Sequence, residues 1–170
     1  MVKQVEARPP APVVPGGRLV VGIDPDLVKS GVALAKDGQL ISLLAEPFPQ
    51  LLKHAQELVD SNALFVVENV EHDKTTYRRG KTNAKTHAAI AQKVGQVKGV
   101  ARVLVECLQD MGADIHLVKP LTGPAKRKAK DDAQYFNQIT GWQGNSNQDK
   151  RDAGLLALFA VPKGVLSVQV

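Results

Sequence analysis

Hydrophobic residues along this chain alternate between short continuous runs and longer stretches with helical spacing. Four short runs, bounded by charged or turn-forming residues, are residues 19–23, 31–35, 40–44 and 63–67. Runs of this length and composition are typical of buried β-strands. Asp37 and Gly38 separate the second run from the third, and Asp-Gly between two apolar runs predicts a tight β-hairpin. We therefore expect three antiparallel strands at the start of the domain.

The other apolar residues mainly follow a helical period. The spacing of apolar residues predicts a first helix over residues 49–60. Seven apolar residues then step alternately by four and three, which predicts one long helix: Ile90, Val94, Val97, Ala101, Leu104, Leu108 and Met111. A further buried strand is expected at 115–118. Pro124 suits the first turn of a helix that runs to Ile139, and residues 155–159 indicate a closing helix.

This order of elements predicts one mixed α/β domain over residues 18–170. The preceding residues contain four prolines and end in Gly16 and Gly17. Proline lacks a backbone donor and glycine adds conformational freedom, so residues 1–17 are expected to form a flexible Pro-rich arm.

Composition narrows the class of protein. Among 170 residues, 44% are hydrophobic and 23% charged, which excludes wholesale disorder. The net charge of +5 suits a polyanionic partner without requiring one. The single cysteine excludes a disulfide framework and zinc-finger sites. No run reaches the roughly 18–20 apolar residues of a membrane helix, and the N-terminus lacks a signal-peptide core. We expect a cytoplasmic protein, of a cell or of a viral host, with an organelle matrix as the alternative.

Carboxylates stand at the ends of several predicted elements: Asp24, Glu68, Asp149 and Asp152. Strand ends are where sites form in open α/β sheets, and Asp149 and Asp152 are three residues apart at a helix start, so both can face one side. Crowded like charges are tolerated chiefly when a divalent cation such as Mg²⁺ neutralises them. Taken singly, each has another explanation: Asp149 can stabilise a helix N-terminus, and Asp24 before Pro25 can start a turn.

Five segments, in order, resemble the RuvC-type Holliday-junction resolvases. Residues 22–26 (GIDPD) with Ser30-Gly31 are similar to that family's Gly-Ile-Asp-Pro-Gly…Thr-Gly opening. The other four segments are Val67-Glu68-Asn69-Val70, residues 94–101 (VGQVKGVA), Val118-Lys119 and residues 149–153 (DKRDA). Together they span roughly residues 19–161. No single motif decides the matter, but five in sequence make a strong resemblance.

The resemblance implies a ribonuclease H-like fold with a mixed five-stranded sheet, three antiparallel strands and then two parallel ones, flanked by helices. It implies a homodimeric crossover junction endodeoxyribonuclease that resolves four-way DNA junctions by paired symmetric nicks. Mg²⁺, with Mn²⁺ as a substitute, would be the cofactor, at two ions per active site. The implied metal ligands are Asp24, Glu68, Asp149 and Asp152, with Asp24 between the ions. Lys119 would stabilise charge at the scissile phosphate, or be an ordinary strand-end lysine.

Two positions depart from the family pattern. Asp26 stands where the family has glycine, so it is either a further ligand or solvent-facing. Glu71 stands where bacterial members place an aromatic residue that wedges against junction bases, and a carboxylate cannot stack. Tyr77 is a candidate substitute for that aromatic.

Two basic segments are candidate DNA-binding surfaces. The first follows Glu68 and comprises Lys74, Tyr77, Arg78, Arg79, Lys81 and Lys85. It suits a phosphate-binding loop with one stacking aromatic, or a solvated loop. The second contains Lys126 and Arg127, near a helix start; solvated helix faces commonly carry such charge runs.

Gly95 and Gly99 are four residues apart on the long helix, where glycine costs about 1 kcal/mol relative to alanine. This cost suggests a packing reason, and the resemblance implies that the helix forms the dimer interface; packing within the chain is the alternative. Rival functions are a ribonuclease H-like nuclease acting on RNA–DNA hybrids or other branched DNA, and a non-catalytic DNA-binding protein. Sugar kinases and actin-like ATPases also use strand-end aspartates, but their two domains and duplicated phosphate loops are missing here.

Overall fold

The computed structural model describes residues 17–72 and 83–162. Within them the strands form one five-stranded sheet in the order β3-β2-β1-β4-β5. The strands are β1 (Val20–Asp24), β2 (Ser30–Lys36), β3 (Gln39–Glu46), β4 (Leu64–Glu68) and β5 (Asp114–Val118). The helices are α1 (Phe48–Asp60), α2 (Ala84–Asp110), α3 (Pro124–Asp131), α4 (Ala133–Thr140) and α5 (Gln148–Phe159).

The sheet is mixed as predicted. Strand β2 pairs antiparallel with β1 and with β3, whereas β4 lies parallel to both β1 and β5. The β2–β3 turn has positive φ at both central residues, 51° at Asp37 and 73° at Gly38. These angles match the hairpin turn whose twist suits antiparallel strands, so the hairpin prediction is confirmed.

Two apolar layers cover the sheet. On one face, Val20, Leu64 and Val66 pack with α5 and Phe136 of α4. On the other face, Val21, Ile23, Phe65 and Val67 pack against α1 and the second half of α2. Alternate residues of β1 and β4 thus serve opposite layers, which explains why these strands read as continuous apolar runs.

The single helix predicted from Pro124 to Ile139 is wrong; two helices occupy this stretch. The break falls at Asp132, whose backbone is extended (φ −115°, ψ 107°). Its Oδ1 accepts hydrogen bonds from the backbone N–H groups of Gln134 (2.9 Å) and Tyr135 (3.1 Å). Asp132 therefore ends α3 and caps the N-terminus of α4, a preference of aspartate that overrides continuous helix formation.

Helix α5 lies directly on the sheet because β1 and β2 carry glycine where it crosses. A Cβ at Gly22 would stand 2.7 Å from the backbone nitrogen of Ala157 and closer still to the carbonyl oxygen of Ala153. A Cβ at Gly31 would overlap the backbone of Asp149. All eight residues 151–158 are buried. The two glycines therefore fix how closely the start of α5 approaches the end of β1.

Helix α2 packs over only part of its 27 residues. Its buried residues are Ala101, Leu104 and Leu108, all in the second half. Ile90, which belongs to the same apolar stripe, is 44% exposed. At Gly95 and Gly99, no described atom lies within 4 Å of where a Cβ would be, so the described residues provide no intrachain packing reason for these glycines.

The predicted arm at residues 1–17 lies almost wholly outside the described residues, and the single-domain boundary at residue 18 stays a prediction. None of the described helices combines the length and hydrophobicity that crossing a membrane requires.

Candidate active site

The fold brings the four predicted carboxylates towards one edge of the sheet. Asp24 ends β1 and Glu68 ends β4, and these strands are parallel neighbours, so both side chains emerge at the same edge. Asp24 is paired with Gly31, against which the backbone of Asp149 packs. Asp152 follows one turn later on α5 and is 3% exposed.

Burial and mutual repulsion perturb these carboxyl groups. Burial, followed by the charges of Glu68 and Asp152, raises the pKa of Asp24 to about 8. Burial likewise raises the pKa of Glu68, with a further contribution from Asp152, although Lys126 opposes it. A hydrogen bond to Asp24 also favours the charged form of Glu68. When all of its carboxyl groups are ionised, the cluster therefore holds more negative charge than its surroundings stabilise. A bound cation would neutralise part of that charge.

Two lysines of α3 contact Asp152. Lys130 Nζ donates a hydrogen bond to Asp152 Oδ2 at 2.6 Å, and Lys126 Nζ lies 3.1 Å from Oδ1. The two lysines are four residues apart, so they share one face of the helix. Burial lowers the pKa of Lys130, but the hydrogen bond and attraction to Asp152 outweigh it and raise the pKa overall.

A buried arginine joins α3 to α5 beneath this contact. Arg151 is 6% exposed. Its Nε donates to the carbonyl oxygen of Lys130 at 2.8 Å, and one terminal nitrogen donates to the carbonyl oxygen of Ser146, also at 2.8 Å. Sequence reasoning assigned no role to Arg151 and did not place Lys130 at the site. The four-residue spacing of Lys126 and Lys130 was the available signal for the lysine pair.

The donors at this edge suit a hard divalent cation in chemistry. Carboxylate oxygens are the ligands Mg²⁺ prefers, and Asp152 Oδ1 is buried without a hydrogen bond, since Lys126 is near but poorly aligned. Within residues 17–72 and 83–162, no three His, Cys, Asp or Glu side chains converge into a metal-binding group. In this structure Asp152 is instead engaged by Lys126 and Lys130.

The remaining predicted residues are distributed as follows. Lys119 is exposed and directly follows β5, whose Val118 is the neighbour of Glu68. Asp26 is half-buried, and its backbone N–H donates to Ser30 Oγ at 3.2 Å. Lys85 and Arg127 are exposed on α2 and α3. Five predicted DNA-binding residues lie outside the described residues: Lys74, Tyr77, Arg78, Arg79 and Lys81.

Glu71, at the position of the family's aromatic wedge, has a partner on α2. Its Oε1 accepts a hydrogen bond from Arg102, and both side chains are largely exposed. The ion pair connects the segment after Glu68 to the long helix.

Comparisons with known proteins identify the fold. No protein-family model matches the sequence, and no curated protein matches it. Among solved structures, T. thermophilus RuvC in complex with a Holliday junction substrate matches with a TM-score of 0.50 and 17% identity, covering 82% of this chain and 90% of that one. Another Thermus thermophilus RuvC structure matches with a TM-score of 0.46, 16% identity and the same coverage. The expected fold is therefore confirmed: this chain has the ribonuclease H-like fold of T. thermophilus RuvC.

Proposed function

We propose that this protein is a metal-dependent endonuclease that cuts branched DNA, with the four-way junction as its substrate. The observation that carries the proposal is the meeting of Asp24, Glu68 and the start of α5 at one sheet edge, with the pKa of Asp24 raised by burial and by its neighbours. A protein that only bound DNA would gain nothing from carboxylates that repel phosphate. One structural neighbour is a RuvC in complex with a Holliday junction substrate, which favours junctions among the branched DNAs.

The proposed cofactor is Mg²⁺, with Mn²⁺ as a substitute, at two ions per site. Asp24, Glu68, Asp149 and Asp152 would hold them. A divalent cation held there would supply an activated water for attack on the scissile phosphate and would stabilise the departing oxygen. The close approach of α5 sets the distance from Asp24 to the two aspartates.

The lysines of α3 have two roles in this proposal. In the cation-free chain, Lys126 and Lys130 neutralise the buried carboxylate of Asp152. In the DNA complex, the same ammonium groups lie next to the scissile phosphate and bind its oxygens, as does Lys119 at the end of β5. Arg127 and Lys85, with the basic residues at 74–81, extend phosphate binding away from the site.

A junction has two opposed strands to cut, so one site per chain requires two chains related by a two-fold axis. We propose that the part of α2 before Ala101 forms this homodimer contact. It carries Gly95 and Gly99, where backbones can approach closely, and no described residue covers them.

The test compares cleavage of labelled four-way junctions, linear duplexes and RNA–DNA hybrids in Mg²⁺ and in EDTA. We expect paired nicks only in the four-way junction, and only when Mg²⁺ is present. Asp24→Asn keeps the shape of the side chain but removes its charge, so this variant should bind junctions without cutting them. Preferential hydrolysis of the RNA–DNA hybrid would assign the site to the rival ribonuclease reaction. Near-normal cleavage by Asp24→Asn would contradict the proposed role of the carboxylates in cleavage.

A further inference from the structure

A cavity of about 230 Å³ opens beside Glu68, on the side of the sheet away from α5. One wall is the end of β4 and the residues that follow it, and the other wall is the second half of α2. Leu117 of β5 lies between them and is 50% exposed, although its strand neighbour Val67 is fully buried. The cavity begins at a carboxylate proposed to hold metal and extends away from it, so it is not part of the carboxylate cluster.

The floor of this cavity is apolar and its rim is polar. Ala101, Val105, Leu117 and Val70 supply hydrocarbon surface. The volume is below the roughly 300–1,000 Å³ of pockets for drug-sized ligands, so it suits one flat ring system. An apolar floor can contact both the edge and the face of such a ring.

The charges of the described residues around the cavity disfavour phosphate as its ligand. Among the residues that the structure describes, three carboxylates line the cavity, Glu68, Glu71 and Glu106, against one cation, Arg102. A phosphate would be repelled by this excess, whereas the amino groups of a nucleobase donate hydrogen bonds to carboxylates. Glu71 and Arg102 form an exposed ion pair, and such pairs contribute little free energy, so a ligand can displace it at small cost.

We propose that this cavity binds one unpaired nucleobase of the junction, extruded next to the scissile phosphate. The inference rests on the proposed function, because only DNA at the carboxylates puts a base within reach. Enzymes that extrude a base spend a few kcal/mol on unstacking, least where pairing is already interrupted, as at a strand-exchange point. Base capture would open the junction at Glu71, where a carboxylate stands in the place of an aromatic wedge.

The first test follows a 2-aminopurine placed at the exchange point of a junction, bound in EDTA so that no cutting occurs. Its fluorescence rises when it leaves the base stack, and none of the described residues that line the cavity is an aromatic that would quench it. We expect a several-fold rise with wild-type protein. Leu117→Trp and Gln109→Trp fill the cavity from its floor and from α2, at exposed positions. Both should bind the junction with affinity close to wild type but lose the rise. Because an added tryptophan also quenches a captured base, this loss supports the pocket only together with the abasic-junction result below. Ile41→Trp, at an exposed apolar residue of β3, is the matched control and should keep it.

The second test measures cleavage in Mg²⁺ of junctions with a normal or an abasic nucleotide at that position. We expect Leu117→Trp to slow cleavage of the normal junction about tenfold and to cut the abasic junction at the wild-type rate, because no base then needs a place. A defect that persists on the abasic junction, or wild-type binding without a fluorescence rise, overturns the base pocket and leaves the nuclease proposal standing. Absence of junction binding and cleavage by wild-type protein overturns both.

Discussion

Helices α5 and α2 cover opposite faces of the same sheet and are packed in opposite ways. Residues 151–158 of α5 are all buried, and glycines in β1 and β2 let its backbone touch the sheet. Of the 27 residues of α2, three are buried, and both of its glycines face open space among the described residues. Close packing thus fixes the position of α5 and of the carboxylates that it carries. Helix α2 instead has a long surface that the described residues leave uncovered.

The directions of the two helices sharpen this contrast. Because α2 connects parallel strands β4 and β5, its second half lies along them and its first half continues past the edge where Asp24 and Glu68 emerge. At 1.5 Å per residue, 27 residues extend about 40 Å, whereas a five-residue strand extends about 17 Å. In the proposed function, the buried helix therefore holds catalytic carboxylates, and the projecting helix is available for DNA and for a second chain.

The largest expected effect is on the cleavage rate, and it should distinguish acidic residues of α5 from an acidic residue of α2. Asp149→Asn and Asp152→Asn should each lower the junction cleavage rate on the order of 10³-fold, the scale for losing a group that stabilises transition-state charge. Folding should persist, because asparagine keeps the side-chain shape. Asp110→Asn, at the exposed end of α2, is the control and should cut normally. Circular dichroism alongside cleavage kinetics checks both statements; variants of α5 that unfold but whose folded fraction cuts normally would make these residues structural.

The next largest effect is on stability and concerns Gly22, which allows α5 to pack closely on the sheet. Gly22→Ala puts a methyl group against the backbone of α5, which cannot yield as a side chain could, so we expect a loss on the order of 3 kcal/mol in the free energy of unfolding. Gly95→Ala on α2 meets nothing in the described part of the chain and should instead gain up to about 1 kcal/mol from helix propensity. Urea denaturation measures both. Equal and small effects would show that α5 is packed no more tightly than α2.

Much of this architecture is predictable from sequence because strand runs, the Asp-Gly turn and the period of α2 are local signals. The placement of the carboxylates is also predictable, since Asp24 and Glu68 end strands and Asp149 and Asp152 lie near the start of α5. Their role as metal ligands stays a prediction. The contact of Lys126 and Lys130 with Asp152 is not, because it depends on how α3 folds back over α5 after the break at Asp132. The cavity at Leu117 is equally hidden, since it arises where α2 and β5 separate and no motif marks it.

A third prediction concerns pH. The folded chain holds a proton on Asp24 up to about pH 8, whereas the unfolded chain releases it near its ordinary pKa of 3.8. A raised folded-state pKa contributes stability that is complete below the unfolded pKa and is lost as pH rises through the folded value. Metal-free wild-type protein should therefore melt at least ~3 °C lower at about pH 8 than at about pH 6. Asp24→Asn should remove most of this difference.

Cation binding should reverse that loss. In the proposed function Mg²⁺ binds the charged carboxylates of the folded state, so it should raise the melting temperature of wild-type protein more at about pH 8 than at about pH 6. Differential scanning fluorimetry with Mg²⁺ and with EDTA provides the comparison, and Asp24→Asn is the control with little response. An equal Mg²⁺ response in wild type and variant would place the cation elsewhere.

The smallest effect on folding is expected in the part of α2 before Ala101, where substitutions should change assembly. Val97 of the apolar stripe is two residues from both Gly95 and Gly99, about 200° around the helix, so the stripe and the glycines occupy opposite sides. Gly99→Leu and Ile90→Lys each alter one side, and each should shift the unfolding free energy by less than about 0.5 kcal/mol, apart from the helix propensity gained on replacing glycine. We expect Gly99→Leu to sediment as a monomer, because leucine holds partner helices apart, and to lose paired nicking before single nicking. Ile90→Lys should remain a dimer. A dimeric Gly99→Leu with a monomeric Ile90→Lys would place the interface at the apolar stripe. Dimers from both variants would show that this part of α2 does not form the interface.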